Sequence, residues 1–432
     1  MRLCDEPLRS AVQGQPGQPG QLPRLLPAEI DGTPVSHARH LAQYGPLPLA
    51  TPAGWRTSGL MAEIDRSGLT GRGGAGFPTA RKLAAMPAGR RAVVIANGTE
   101  GEPASAKDQV LLANSPNLVL DGAAVAASIA GADRAFIVVP RSVEDAVSRA
   151  VAERRAAASG DIRFIVITAA EGFVAGEASA VVHWIGRGLA VPTTRPPRLA
   201  ERGLGGAPTL VQNVETLAHL ALIARYGATW FRSVGTPDEP GSMLVTVAGA
   251  VREPSVLEVA IGTPVSDVLA LAGGPSRPLR ALLLGGYFGT WVDVTSAGRA
   301  PFSSAGLARL GAGVGAGLVA ALPDDACGLA ETARLADYLA GESAGQCGPC
   351  RFGLDAIAGE LRRLADGRNA DLPTLDRWLG QVRGRGACSH PDGVAHLVGS
   401  ALELFTDEIE QHGRGWCTGT AAVLPVPPRR QR

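Results

Sequence analysis

Apolar and polar positions change their period along the chain, and the changes divide it. Between Trp55 and about Tyr226, short β-rich apolar runs at Ala92 to Ile95, Ala135 to Val139 and Ile162 to Ile167 are separated by the helix-spaced stretches Val110 to Ala130 and Val143 to Ala158. This alternation predicts βαβ units on a parallel sheet, in which ligands gather at the carboxyl ends of the strands. Chemistry is therefore expected just after Ile95 and Ile167. Near Gly241 the texture changes. Met243 to Gly249 and Val256 to Val259 read as a hairpin, and Val265 to Ala272 as a short helix stopped by Gly273 and Gly274. Beyond about Pro323, apolar residues recur at helical spacing in Leu329 to Leu339, Leu354 to Ala365, Asp371 to Val382 and Gly393 to Gln411. No sustained period runs through the residues up to about Ala53, where a Gln-Pro-Gly stretch (Gln13 to Gln21) reads as a mobile or loosely packed leader. None runs through the proline-rich tail Pro425 to Arg432 either.

Composition narrows the classes. A chain of 432 residues is long enough for several domains, and its 56 glycines and 32 prolines follow no triplet period, which excludes collagen. The balance of 41 basic against 40 acidic residues excludes a general polyanion binder, so no nucleic-acid partner is expected. Every basic residue except Lys82 and Lys107 is arginine. The longest apolar candidate, Leu310 to Leu322, is rich in glycine and falls short of the ~18 residues of a membrane span. The N-terminus has no signal-peptide core, so direct membrane insertion is not expected and the chain reads as soluble and cytoplasmic. In that setting Cys4, Cys327, Cys347, Cys350, Cys388 and Cys417 read as thiols or metal ligands and not as a disulfide framework.

Four clusters carry candidate chemistry. Gly71-Arg72-Gly73-Gly74-Ala75-Gly76-Phe77-Pro78 lets backbone N–H groups converge on an anion, with a helix expected after Pro78. The loop is neither a Walker loop, since no Gly-Lys-Ser/Thr follows, nor a dinucleotide fingerprint, since it precedes the first clear strand. Asn97 with Glu100-Gly101-Glu102-Pro103 and Lys107-Asp108 follows one strand, and Glu171 to Ser179 follows another. Either acidic loop alone also reads as an exposed turn; two of them facing one glycine loop favour a shared pocket. Cys347-Gly348-Pro349-Cys350, with Cys388 further on, suits one metal or cluster or a redox dithiol. The thioredoxin use of Cys-Gly-Pro-Cys needs a strand before it, whereas a helix and a loop precede it here. His390 is available as a zinc ligand, although such a histidine is more often simply exposed.

Together these clusters resemble the flavin-binding, NADH-oxidising F-type subunit of respiratory complex I and its relatives in NAD-linked hydrogenases and formate dehydrogenases. The resemblance spans about residues 55 to 412. It rests on Gly71 to Thr79, Asn97 with Glu100 to Pro103 and Lys107-Asp108, Gly176-Glu177, Asn213-Val214-Glu215-Thr216-Leu217, and Glu342-Ser343 with Gly345 to Arg351. It implies an α/β fold: a Rossmann-like parallel-sheet flavin mononucleotide (FMN) domain over 55–235, a β-grasp domain like those that bind soluble ligands over 240–325, and a helical iron–sulfur domain over 326–412. A leader over 1–54 and a tail over 413–432 flank them. It also implies that a hydride passes from NADH or NADPH to the flavin and that electrons leave singly to a cluster. By resemblance Gly71, Arg72, Gly73, Gly74, Gly76, Lys82, Asn97, Glu100, Phe173, Gly176, Glu177, Val211, Gln212, Asn213 and Thr216 line the flavin site. Phe77 and the catalytic Glu102 face the nicotinamide nucleotide, and Cys347, Cys350 and Cys388 hold the cluster. A ferredoxin-like or other iron–sulfur subunit is the implied partner, with placement at the inner face of the membrane through partner subunits.

The chain departs from the family pattern in four places. The first cluster cysteine is replaced by Ala344, which leaves open a three-iron cluster, a four-iron cluster with a non-cysteine ligand, or no cluster, with Ser343 and Cys327 as candidate substitutes for the missing thiolate. A ribose-binding glutamate is replaced by Ala178, and two adenine-stacking aromatics correspond to Ala85 and Arg198, which relaxes discrimination against a 2′-phosphate. Thr99 stands where the family has an aspartate at the flavin. These changes set the leading expectation, a flavin-dependent NAD(P)H oxidoreductase subunit, against two others. One is a flavin-binding scaffold or relay that does not oxidise nicotinamide; the other is a chain whose working part is the β-grasp module.

Overall fold

The computed structural model describes residues 19–27, 33–48, 57–87, 91–157, 162–193, 197–368, 370–417, 419 and 422–427. Cys4, most of the Gln-Pro-Gly stretch and the end of the tail lie outside them. Strands β1 (Ala92–Asn97), β2 (Ala132–Val139), β3 (Arg163–Thr168) and β4 (Thr209–Asn213) form a parallel sheet in the order β3-β2-β1-β4. β1 is apolar throughout because both of its faces are covered. Val94 and Ala96 join the core around helices Pro116–Ala130 and Val214–Phe231, whereas Val93 and Ile95 pack with Val181 on the other side. The chain steps outward from β1 to β3 and then returns to β4 on the far side of β1. That reversal opens a crevice at the carboxyl ends of β1 and β4, where Asn97 and Asn213 are register partners.

Two expected single helices are each two. Val110 to Ala130 divides into Lys107–Asn114 and Pro116–Ala130, which turn by 97°. Pro116 disfavours the helical conformation of the residue before it, and Ser115 sits at φ −126°. Gly393 to Gln411 is His390–Leu404 and Thr406–Gly413, with buried Phe405 between them. Among the described residues no single helix is long and apolar enough to cross a membrane. The bent pair passes that test only in combination, and it is buried in the α/β core.

The second sheet, in the order β6-β5-β9-β7-β8, contains β5 (Ser242–Gly249), β6 (Ser255–Ala260), β7 (Leu279–Leu284), β8 (Thr290–Asp293) and β9 (Leu318–Pro323). Alternation along β9 explains how the modules join. Val319 and Ala321 face the sheet's own small core, while Leu318, Ala320 and Leu322 belong to the core of the C-terminal helices. The glycine-flanked run Leu310 to Leu322 is thus in part a sheet-centre strand.

The expectation of a loosely packed leader fails over its described part. Leu25 and Leu26 lie in the α/β core, and Arg24 is buried. The Arg24 guanidinium donates to the Phe231 and Trp230 carbonyls and lies 4.0 Å over the Trp230 ring. The N–H groups of Arg24 and Leu25 donate to Glu258 Oε2 in β6 at 2.7 and 2.8 Å, so the segment ties the two sheets together. Helix His37–Tyr44 adds His40, which bonds Asp121 at 2.7 Å. Anchoring by polar contacts and isolated leucines leaves no period to read.

Candidate functional site

At the crevice lies a cavity of about 1280 Å³. Pockets for one small ligand commonly occupy roughly 300–1,000 Å³, so this one has room for a ring system and a second molecule against it. The α/β domain supplies Gly71, Gly73, Gly74, Gly76, Phe77, Lys82, Asn97, Glu102, Phe173, Gly176, Glu177, Val211, Gln212, Asn213 and Thr216. Phe288 and the Gly313–Ala316 loop come from the β-grasp sheet, and Cys388 and His390 from the helical domain. All three modules therefore contribute to one wall.

Local geometry explains the placements. Gly74 has φ +100°, a conformation open to glycine and strained for other residues, so the loop can turn its backbone toward the cavity. The Asn97 amide donates to the Gly176 carbonyl at 2.9 Å and joins the two strand-end loops. Asn213 caps helix Val214–Phe231 through Oδ1 while its amide donates to Asp108 Oδ2 at 2.7 Å. Glu177 caps helix Ala178–Arg187 by accepting the Ser179 and Ala180 N–H groups. Phe173 meets the Phe288 and His390 rings edge-on, and its N–H donates to Glu342 Oε2 at 2.8 Å, linking the Glu171–Ser179 loop to the loop before Cys347.

Lys82 and Glu102, both in the wall, lack an ion-pair partner among the described residues. Burial alone lowers the Lys82 ammonium below its usual range. Burial raises Glu102 to about 8; the Tyr287 N–H, donating to Oε1 at 2.6 Å, opposes the shift and Glu100 adds to it. The backbone of Gly286 passes so close that a Cβ there would meet Glu102 Oε2 at 2.5 Å, which fixes the carboxyl in place. A glycine loop, an unpaired half-buried cation and hydrogen-bonding strand ends fit a phosphate-bearing flavin.

Several expected site residues lie elsewhere. Arg72 is buried and turned away: its guanidinium donates to Thr70 Oγ1 and the Pro240 carbonyl, because a buried guanidinium needs acceptors, and its N–H donates to Thr216 Oγ1 at 2.8 Å. Glu100 does not line the cavity. It accepts the Ser105 hydroxyl and the Asp108 and Gln109 N–H groups at the start of helix Lys107–Asn114, and burial and Asp108 raise it to about 7. Lys107 bonds Asp108 and Glu215 at 2.7 and 2.8 Å inside the protein. Burial disfavours its charge, but those carboxylates outweigh burial and raise it. Of the two lysines, then, only Lys82 reaches the cavity.

Cys347 and Cys350 lie just behind Cys388. Hydrogen bonds from the backbone N–H groups of Ala387 and Cys350 and from the Cys350 thiol outweigh burial and lower the Cys347 thiol, a thiolate-favouring arrangement. Burial and the two neighbouring thiols push Cys350 up to about 12, and burial raises Cys388 as well. Thiols are the donors an iron–sulfur cluster takes, and Ala344 offers none. Cys327 lies instead beside Glu408 and His412, at 3.2 and 3.3 Å from their polar atoms. His390 is buried, not exposed; its Nε2 donates to the Leu339 carbonyl at 2.8 Å and burial lowers it to about 4. No motif marks the Phe288 wall. Its one trace in the sequence is an aromatic pair between glycines, Gly285-Gly286-Tyr287-Phe288-Gly289.

Comparison with known proteins agrees with this layout. Residues 64–222 match the Nuo51 FMN-binding domain, 244–286 an SLBB domain, and 330–412 the NADH-ubiquinone oxidoreductase-F iron–sulfur binding region. The second NADH-quinone oxidoreductase F-subunit of Rhizobium meliloti is 31% identical over 368 residues, covering 81% of this chain and 87% of the relative. The NADH-quinone oxidoreductase F-subunit of Streptomyces coelicolor is 31% identical over 381 residues, covering 82% and 84%. The crystal structure of an NAD+-reducing nickel–iron hydrogenase in its H2-reduced state superposes with a TM-score of 0.76 at 30% identity. That match covers 83% of this chain but only 63% of the hydrogenase chain. With an FMN-binding domain, an SLBB domain and a 4Fe-4S region in that order along it, and 31% identity over most of its length to the relative from Rhizobium meliloti, the chain belongs to the family of NADH-quinone oxidoreductase F-subunits, the flavoprotein subunits of NADH dehydrogenases.

Proposed function

We propose that this chain takes a hydride from NADH or NADPH at the cavity and delivers single electrons toward Cys388 and on to an iron–sulfur partner subunit. The observation that carries the reading is the continuity of one cavity from the Gly71–Phe77 loop to Cys388. A bound FMN supplies the two-electron to one-electron conversion. The glycine loop and Lys82 would hold the FMN, Asn97 and Asn213 at the strand ends would offer it hydrogen bonds, and Phe77, 49% exposed at the mouth, would meet the incoming nucleotide. Glu102, at about 8, keeps a proton near neutral pH and would offer a neutral carboxyl to whatever occupies the cavity. Cys347, Cys350 and Cys388 would hold the cluster.

Nucleotide choice follows from the rim. Ala178 and the exposed Arg198 line the cavity, so the ribose meets a guanidinium in place of a carboxylate, an arrangement that accepts a 2′-phosphate. Anaerobic titration with NADH and with NADPH, followed at flavin and iron–sulfur wavelengths, tests the reading. Bleaching by either nucleotide is expected, with Arg198→Ala raising KM for NADPH more than for NADH. A yellow protein bleached by neither is a flavin-binding scaffold, and the proposal fails.

A further inference from the structure

A second group of thiols lies apart from the cavity. Among the described residues, the ligand atoms of Cys327, His412 and Cys417 all lie within 4.8 Å of one another. We propose that these three residues form a mononuclear zinc site, with the fourth position open to water on the exposed Cys417 side.

The donors come from three separate pieces of chain. Cys327 caps helix Gly328–Gly341, His412 lies in the last turn of Thr406–Gly413, and Cys417 begins the tail. Cys327 Sγ is 3.3 Å from His412 Nε2. Zn–S and Zn–N bonds of about 2.3 and 2.0–2.1 Å at a tetrahedral angle place the two donors about 3.5 Å apart, so this edge is already near the length zinc requires. Two sulfurs and an imidazole select zinc over the hard cations magnesium and calcium. Cys327 and His412 are 4% and 2% exposed, whereas Cys417 is exposed and gives the ion an entry path. Glu408 sets the state of the cysteine: in the metal-free protein its carboxylate accepts the Cys327 thiol proton, which zinc must displace as the thiolate forms. Its Oε2 lies 3.2 Å from Cys327 Sγ and accepts the Leu329 N–H at 2.7 Å, and its Oε1 pairs with Arg280 Nε at 3.2 Å. The ion would pin the tail to the bundle. Further along the tail, the Pro425 carbonyl accepts the Tyr287 hydroxyl at 2.7 Å, and the Tyr287 N–H holds Glu102.

The test uses the purified full chain with flavin and cluster in place, washed with chelator, and measures zinc and iron per chain by mass spectrometry. The expected result is about one zinc per chain, and exchange with cobalt should give a thiolate-to-cobalt absorption band. Cys417→Ser and His412→Gln should each lower zinc affinity at least tenfold and leave iron unchanged, while Cys388→Ser lowers iron and leaves zinc in place. Cys417 is exposed, so its substitution keeps the test valid even where His412→Gln fails to fold. Zinc below a tenth of an equivalent overturns the proposal. So does equal zinc loss in Cys388→Ser, or a Cys327–Cys417 disulfide found by peptide mapping in metal-free protein.

Discussion

Asp121 and Glu102 are both carboxyls held inside the protein, and their surroundings drive them in opposite directions. Asp121 in helix Pro116–Ala130 meets His40 Nε2 and Arg154 Nη1 at 2.7 Å each, and Arg225 Nη2 as well. Burial would raise it, but the His40 hydrogen bond and the two guanidinium charges outweigh burial and hold it well below the usual carboxylate range. Glu102 has one backbone N–H and no cation, and it rises to about 8. The lysines repeat the contrast: Lys107 is clamped by Asp108 and Glu215, while Lys82 is unpaired in the cavity wall. Paired charges hold the fold, and unpaired ones are available to a ligand.

The largest effect is expected on the paired side. Asp121→Asn strands two arginines away from water and should cost about 3–5 kcal/mol in chemical denaturation. The folded fraction should still bind FMN normally, because Asp121 lies outside the cavity wall. In the wild type, the depressed Asp121 contributes stability that is present above the ordinary carboxylate range and is lost as pH falls below it; the variant should lose that acid-side slope. A variant as stable as wild type would break the contrast.

Glu102→Gln should act with the opposite sign and more weakly. A carboxyl raised from 4.5 to about 8 binds a proton in the folded state that the unfolded state releases, so the wild type loses stability as pH rises through that window. Glutamine removes the penalty: stability equals that of the wild type near pH 4 and exceeds it by roughly 1–3 kcal/mol at pH 9. The rate of flavin reduction by NADH should bend near pH 8 in the wild type and lose that bend in the variant. A bend that persists would remove Glu102 from the reaction.

The same contrast bears on what was legible in the sequence. β1 announces itself because it is covered on both faces and so is continuously apolar. β4 carries Thr209, Gln212 and Asn213 in five residues and leaves no such run, although it forms half of the crevice. Spacing exposes Cys347, Cys350 and Cys388 because two of them share a short loop. It cannot expose Cys327 and His412, which stand 85 residues apart and meet only after their helices have packed. Arg72 and Glu100 sit inside motifs that line the cavity, yet their side chains turn back to carry hydrogen bonds. A motif marks where the backbone goes, and a side chain's direction depends on acceptors and donors supplied from elsewhere, as Pro240 does for Arg72.

The smallest and most selective effect is expected at Lys82. The chain uses arginine for every other positive charge except Lys107, so a lysine in the cavity wall reads as a requirement for a compact ammonium. It extends from helix Thr79–Ala84 beside the glycine loop, and burial lowers it with no carboxylate to compensate. Arginine keeps the charge but brings a planar fork that is larger and differently hydrated. Lys82→Arg should therefore weaken FMN binding by about tenfold, roughly 1.4 kcal/mol, as measured by fluorescence titration of the flavin-free protein. The melting temperature of that flavin-free protein should not change, because no ion pair is broken. Undiminished affinity would mean that charge alone suffices at this position and that the lysine is incidental. Weakened binding with a lowered melting temperature would place Lys82 with Lys107 among the charges that hold the fold.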